Sequence, residues 1–518
     1  QISTLRGVPV RRHSGRPLAP ALAALLVAAL FPAATAVLPS VTAHAAPAAA
    51  PAATPATTPI TTPALAPSRA DQGAPPLTLQ TPVLSLRRVP ELLAMAVGTA
   101  KLDASLDAIL SDPRYGPSAA NSCLIAQAGS TPVYSHNPTM ALLPASNLKL
   151  LTATAALDKL PAGQRFTTTV EGDTKPVGGV VTGNLYLVGG GDPLLRTPDY
   201  VAAFHFPAQI FDNLDTLADQ VRAAGVTKVT GSVVGDESRY DTRRNVATWP
   251  SRYAATGEVG PLSALSVNDG FVGSSPAAPA AQPAQQAAAT FAALLQARGI
   301  TVGGPAANGN APAAAPKITE LASAPVADVV GEVLRRSDNN GAELITKELG
   351  RQASPATPTT AAGVAAIQAA LTADGLPTAG LHMVDGSGLD RSDRVTCQLT
   401  LAALVRSGPD GAIGRGLPIA GKSGTLVRRM VATPAAGRLR AKTGSLEGVA
   451  ALSGFVSPVP GPIPSNGASG ATGVAFSLIS NASPSLSAGD ALGDRVGVAL
   501  AQFPQAPPVA DLAPLPAR

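Results

Sequence analysis

Charge is scarce in this sequence: 14% of its 518 residues are Asp, Glu, Lys or Arg. Only Lys101, Lys149, Lys159, Lys175, Lys228, Lys317, Lys347, Lys422 and Lys442 supply lysine. Without clustered basic charge there is no electrostatic case for nucleic acid, whose phosphates demand it. The formal charge is +5, and Arg6, Arg11, Arg12 and Arg16 crowd the start with no acidic neighbour, so the remainder is near neutral. Aromatics make up 3%, which leaves Leu, Val and Ala to fill the core. Past the first 45 residues the histidines are His136, His205 and His382, none in a telling motif, and no G-x-S-x-G elbow occurs. That disfavours a Ser-His-Asp hydrolase. Metal ligands are equally wanting, so neither a metal nor a cofactor is expected. The two cysteines, Cys123 and Cys397, are too few for a cysteine framework. In an oxidising compartment a lone pair reads as a disulfide.

What is present begins with a leader. The early arginines precede an apolar run, Leu18 to Leu38, broken by Pro20 and Pro32, and Ala43-His44-Ala45 supplies a small-residue cleavage site. Residues 1–45 therefore read as a secretory signal, placing the mature chain outside the cytoplasmic membrane. If it stayed uncleaved, it would leave a loose membrane association. Residues 46–84 are Ala, Pro and Thr with scarcely a charge, a disordered tether by composition.

Helical patterning over 88–109, a hairpin from Cys123 through Tyr134, and a helix beginning near Ser146 open a domain spanning 85–165. From 166 to 318 the pattern changes to short alternating segments between glycine-rich turns, such as 184–188 and 231–234, with one helix at 289–298. Helical periodicity returns over 326–349 and 361–371, and strands dominate 439–479. The expectation is one α/β domain, 85–165 and 319–503, split by a β-rich insertion, 166–318, with a loose tail at 504–518.

Three short motifs carry chemistry. Lys149 alone among the lysines has a serine three residues earlier, and positions i and i+3 share a helix face, so its amine can reach the Ser146 hydroxyl. At a helix N-terminus the dipole favours a developing alkoxide. A lysine acts as base only if burial and a second nearby cation depress its pKa. Lys442-Thr443-Gly444-Ser445 reads as an edge strand offering that cation, with Gly444 letting a substrate backbone approach. Lys442 would meet a terminal carboxylate there, and the N–H groups of Ser146 and Ser445 would form an oxyanion hole. A rival Lys422-Ser423-Gly424 stands in a loop-like setting. The third motif, Ser337-Asp338-Asn339, breaks a helical pattern between the other two. Ser135-His136-Asn137 precedes Ser146, and Ser266-Val267-Asn268 reads as lying within a strand.

S-x-x-K, S-D-N and K-T-G in that order are the signature of penicillin-binding proteins and serine β-lactamases. The long spacing between the first two, together with Gly189-Gly190-Gly191-Asp192-Pro193, Asp385-Gly386-Ser387-Gly388-Leu389 and Arg440 to Leu446, resembles the class C low-molecular-mass penicillin-binding proteins, the D-Ala-D-Ala carboxypeptidase/endopeptidase family. The resemblance covers about residues 85–500. It implies a transpeptidase-like antiparallel sheet flanked by helices and an acyl-enzyme on Ser146. Lys149 would be the base and Ser337 the proton relay to the leaving amine. Asn339 and Thr443 would hold the donor peptide, and Lys442 would support relay and carboxylate. Peptidoglycan stem peptides are the implied substrates and β-lactams the covalent inhibitors. An insertion aspartate and an arginine near the D-G-S-G segment would bind the stem's diamino-acid side chain, which points to Asp236 and Arg391. Glu447, following the K-T-G-S strand, bears on which side chain is preferred. The alternatives are a β-lactamase or esterase on the same scaffold, and a non-catalytic wall-binding protein.

Overall fold

The computed structural model describes residues 85–514, except 162, 274–277, 357 and 459–472. The signal and the tether expected from the sequence, residues 1–84, fall outside the described residues. The twelve elements that build the site region are α1 (Pro90–Leu110), β1 (Ser122–Ala128), β2 (Thr131–His136), α2 (Lys149–Lys159), α3 (Val326–Arg336), α4 (Asn339–Ala353), α5 (Thr360–Ala373), α6 (Cys397–Ser407), β3 (Leu439–Leu446), β4 (Val449–Val456), β5 (Val474–Ser480) and α7 (Leu486–Gln502).

The strands form one antiparallel sheet in the order β3-β4-β5-β1-β2. Residues from the two ends of the chain thus lie side by side at its centre. Both faces of the sheet are covered. Val474, Phe476 and Leu478 of β5 alternate onto one face, where Leu102, Leu106 and Leu110 of α1 meet Leu492, Val496 and Leu500 of α7. Ala475 and Phe455 point the other way, into a core built by α2 through α6. No residue of β5 escapes burial, which explains its unbroken apolar character. Cys123 on β1 and Cys397 at the start of α6 are joined as a disulfide.

Five strands of residues 167–322 form a second sheet, in the order Ala307–Asn308, Val233–Asp236, Leu185–Val188, Thr167–Gly172, Lys317–Ala322. Its core is shared with two helices, Leu214–Ala223 and Pro283–Ala297. This region is therefore mixed α and β. The second helix starts well before the expected residue 289, because Pro283 is tolerated in a first turn, where no N–H is needed.

Two further expectations are corrected. Ser266-Val267-Asn268 is not in a strand; Asn268 and Asp269 have φ of 54° and 56°, incompatible with extended backbone. The tail is not loose up to residue 514, since Val509–Leu512 forms a helical turn and the Lys101 amine donates to the Gln505 carbonyl at 3.1 Å. Among the described residues no helix is long and apolar enough to cross a membrane.

Candidate active site

Ser146 lies in a 3-10 turn, Ala145–Leu148, that leads directly into α2. Its neighbour Ala145 is fully buried at φ 47°, a left-handed backbone that alanine adopts only when its surroundings impose it. The turn puts Lys149 beside Ser146, and the Lys149 nitrogen is 3.0 Å from the Ser146 hydroxyl. Two more acceptors surround that nitrogen: the Asn339 side-chain oxygen at 2.6 Å and the Ser387 carbonyl at 2.7 Å. Lys149 is 1% exposed, and burial lowers its pKa to about 8 against the pull of Asp385, Glu343, Asp338 and Glu258. As a neutral amine it can satisfy Asn339 and Ser387 with its two N–H bonds and turn its lone pair to Ser146. That is the arrangement of a general base.

α3 ends at Ser337, which takes the left-handed conformation (φ 60°, ψ 38°), and Asp338 caps α4 by accepting from the Gly341 N–H at 2.9 Å. This reversal turns the Ser337 hydroxyl to the Lys442 nitrogen at 2.8 Å. Lys442 also donates to the Thr443 carbonyl at 2.7 Å. Fully buried, it has a pKa pushed well below the ordinary value, first by burial and then by Lys149. The sequence anticipated that a second cation would depress Lys149. The structure assigns the repulsion to Lys442 instead, because four carboxylates act on Lys149 while no carboxylate contributes to the shift of Lys442.

β3 is an edge strand, as the sequence suggested. What approaches Gly444, however, is the protein itself: a Cβ there would sit 2.8 Å from the Pro144 carbonyl and 3.0 Å from the Ala451 side chain. Glycine lets β3 lie against the turn that carries the nucleophile. The direct meeting of Lys442 with a carboxylate is also corrected. Lys442 is buried, and it is Ser337, Thr443 and Ser445 that line the cavity of about 360 Å³ in front of Ser146. Glu258, Asn339, Arg336, Arg429 and Asp490 complete the polar part of its wall. The rival K-S-G loop contributes Thr425, whose hydroxyl bonds that of Thr443 at 2.8 Å.

Arg391 is exposed and donates to the Glu447 carbonyl at 3.2 and 3.3 Å; it is not among the residues that line the cavity. Asp236 is not brought to this site. It is buried at the end of its strand and accepts from the backbone N–H of Ser238 at 2.8 Å and Ala311 at 2.7 Å. The carboxylate that the inserted segment does bring to the cavity wall is Glu258. Sequence reasoning also missed Glu343, and it named Asp385 only as part of a motif, without a role. Asp385 accepts from the N–H groups of Ser387, Gly388 and Asp390 and from the Trp249 indole, fixing the loop whose Ser387 carbonyl faces Lys149. Glu343 accepts from Gly386 at 2.9 Å, and burial raises its pKa to about 8. Two carboxylates in one buried pocket cannot both ionise cheaply. Among the described residues no group of His, Cys, Asp and Glu could hold a metal ion.

A serine, two buried lysines and an asparagine assembled from both halves of the chain around one cavity define a serine acyl hydrolase of the penicillin-binding type. The D-Ala-D-Ala carboxypeptidase 3 (S13) family model matches residues 102–281 and 273–501. The chain is 30% identical over 483 residues to the D-alanyl-D-alanine carboxypeptidase of Actinomadura sp., covering 78% of this chain and 85% of that one. It is 31% identical over 435 residues to carboxypeptidase DacB of Mycolicibacterium smegmatis, covering 80% and 84%. The crystal structure of penicillin binding protein 4 from Haemophilus influenzae shares the fold, with a TM-score of 0.60 at 21% identity over 74% of this chain and 93% of that chain. The chain belongs to the D-Ala-D-Ala carboxypeptidase 3 (S13) family and is a serine-type hydrolase.

Proposed function

We propose that this D-Ala-D-Ala carboxypeptidase works through an acyl-enzyme on Ser146, with Lys149 as the base. The observation that carries the reading is the 3.0 Å contact between the Lys149 nitrogen and the Ser146 hydroxyl, made by an amine whose pKa burial lowers to about 8. Lys149 takes the hydroxyl proton as Ser146 attacks the penultimate D-Ala carbonyl of a peptidoglycan stem peptide. The oxyanion is received by the N–H groups of Ser146 and Ser445. As the C–N bond breaks, the leaving D-Ala nitrogen gains a proton from the Ser337 hydroxyl. Ser337 recovers it from the Lys149 ammonium, directly or by way of the Lys442 amine, so the proton lost by Ser146 is the one the product gains. Water then attacks the ester with Lys149 again as base.

Thr443 and Asn339 hold the donor peptide at the cavity wall. Glu258 takes the place expected for Asp236 and, with Arg391, receives the ends of the stem's side chain. β-Lactams acylate the same serine. Residues 166–318 act as an insertion within the catalytic domain, and the enzyme works outside the cytoplasmic membrane, exported by residues 1–45. Fluorescent penicillin followed by peptide mass analysis tests the centre of this reading: a stable adduct on Ser146, lost in Ser146→Ala. Rapid turnover of the antibiotic would indicate a β-lactamase, and absence of any adduct would sink the mechanism. Assays on pentapeptide and on cross-linked muropeptide then divide carboxypeptidase from endopeptidase action.

A further inference from the structure

Arg196 is 0% exposed and belongs to the inserted region, far in sequence from the three motifs. Its guanidinium contacts two carboxylates at once: Asp269, at 2.8 Å, and Asp338, the middle residue of the S-D-N motif. The Phe204 ring lies 5.3 Å from the guanidinium carbon, and Tyr200 donates to Asp269 at 3.0 Å. The Nε and Nη1 atoms of Arg196 have no hydrogen-bond partner. A buried cation with idle donors is a poor way to gain stability, since well-packed apolar groups commonly do as well.

The surrounding backbone carries strain of its own. Asn268 and Asp269 are both left-handed, and a Cβ on Gly260 would fall 1.8 Å from the Asp269 carbonyl. From this pinched segment the Glu258 carbonyl accepts from Asn339 at 2.7 Å, and Asn340 exchanges bonds with Gly260 at 2.7 and 3.2 Å. Strain of this kind persists where the surroundings fix it, and it clusters at functional sites. Here the fixed object is the left-handed turn at Ser337, which aims its hydroxyl at Lys442.

We infer that Arg196 is a positioning residue for the reaction: by gripping Asp338 against Asp269, it holds Ser337 in the conformation that delivers a proton to the leaving amine. The inserted region is then part of the catalytic apparatus and not only a wall for substrate. This rests on the role given to Ser337 above.

The test exploits the leaving group. An amide nitrogen must be protonated as it departs, whereas a thiolate leaves without a proton, a thiol having an ordinary pKa of about 8.5. The full-length enzyme, Arg196→Met and Arg196→Lys are each assayed on an acyl-D-Ala-D-Ala peptide and on the thiolester of the same acyl-D-Ala donor. In Arg196→Met the ratio of amide to thiolester kcat/KM should fall by about 10-fold or more, the scale of a misplaced general acid. Arg196→Lys, which keeps a positive charge between the two carboxylates, should recover part of it. Partial unfolding lowers both activities together and leaves the ratio unmoved. An unchanged ratio in both variants would overturn the inference. Failure of the unsubstituted enzyme to acylate Ser146 would instead overturn the mechanism on which it rests.

Discussion

Lys442 on the edge strand donates to Ser337 at 2.8 Å, across the 105 residues that separate them in sequence. This contact joins the second and third motifs into one unit and fixes the hydroxyl from behind. Burial lowers the Lys442 pKa, which suits the proposed role of orienting Ser337 and relaying a proton better than attracting an anion. Lys442→Met, which keeps the length of the stem, should leave the protein folded while slowing amide hydrolysis by about 100-fold. Lys442→Arg should not rescue it, since a guanidinium stays charged and cannot pass the proton on. Steady-state kcat with a thermal melt on each variant checks both statements. Activity retained in Lys442→Met would remove it from the relay.

Lys149, the proposed base, sets the expected pH dependence. The base must be unprotonated, so acylation should rise tenfold per pH unit below about 8 and level off above it. Asp385, Glu343, Asp338 and Glu258 all act on Lys149 to favour its ammonium form. Glu343→Gln keeps an acceptor for the Gly386 N–H and mimics the protonated carboxyl that burial favours below about pH 8. The acid limb of its profile should therefore stay close to that of the unsubstituted enzyme. The observed rate constant for acylation by a fluorescent penicillin, followed from pH 6 to 10, checks this. An acid limb moved to lower pH by a full unit would mean that Glu343 is ionised beside Lys149.

What the sequence revealed of this site was the local part. Ser146 and Lys149 share a face because helical spacing demands it, and Ser337 could be found because a helical pattern breaks there. Strand β3 was readable from its residues and proved to be an edge. Distances set by the chain's return were not readable. Glu343 looks like an ordinary surface carboxylate until α4 brings it into the buried pocket, and Asp385, though part of a recognisable motif, shows no link to Lys149 until the chain folds. Asp236 stood in a plausible turn, yet its carboxylate is occupied by Ser238 and Ala311, and Glu258 reaches the cavity from a segment with no motif. The role of Gly444 was legible as a close approach, but not whose backbone would approach.

Glu258 gives a prediction about substrate choice. Exposed on the cavity wall, its carboxylate can meet an amine on the stem peptide. Glu258→Gln should raise KM for a donor with a free side-chain amine by roughly 10-fold, the value of one charge-assisted hydrogen bond. A donor whose side-chain amine is acetylated should be hydrolysed equally by both enzymes. No change in KM for either donor would show that Glu258 acts only through the backbone carbonyl that accepts from Asn339.

Asp393 is buried beside Asp385 and Asp390, accepting from the Val384 N–H at 2.7 Å, and burial with the Asp385 charge raises its pKa to about 10. The sign follows from proton counting. Between the ordinary carboxylate pKa of about 4 and the folded value, the folded chain holds a proton that the unfolded chain releases, so stability falls as pH rises through that window. Asparagine resembles the protonated acid in shape, accepts from Val384 and can donate to Asp385, but carries no such linkage. Asp393→Asn should therefore stabilise the protein at pH 8 by on the order of 1–2 kcal/mol and confer no gain at pH 4. The loop that presents the Ser387 carbonyl to Lys149 would be preserved, so peptidase activity should persist. Thermal melts at the two pH values decide the matter: a gain of equal size at both would assign the effect to packing, and a loss at pH 8 would show that Asp393 is ionised in the folded chain.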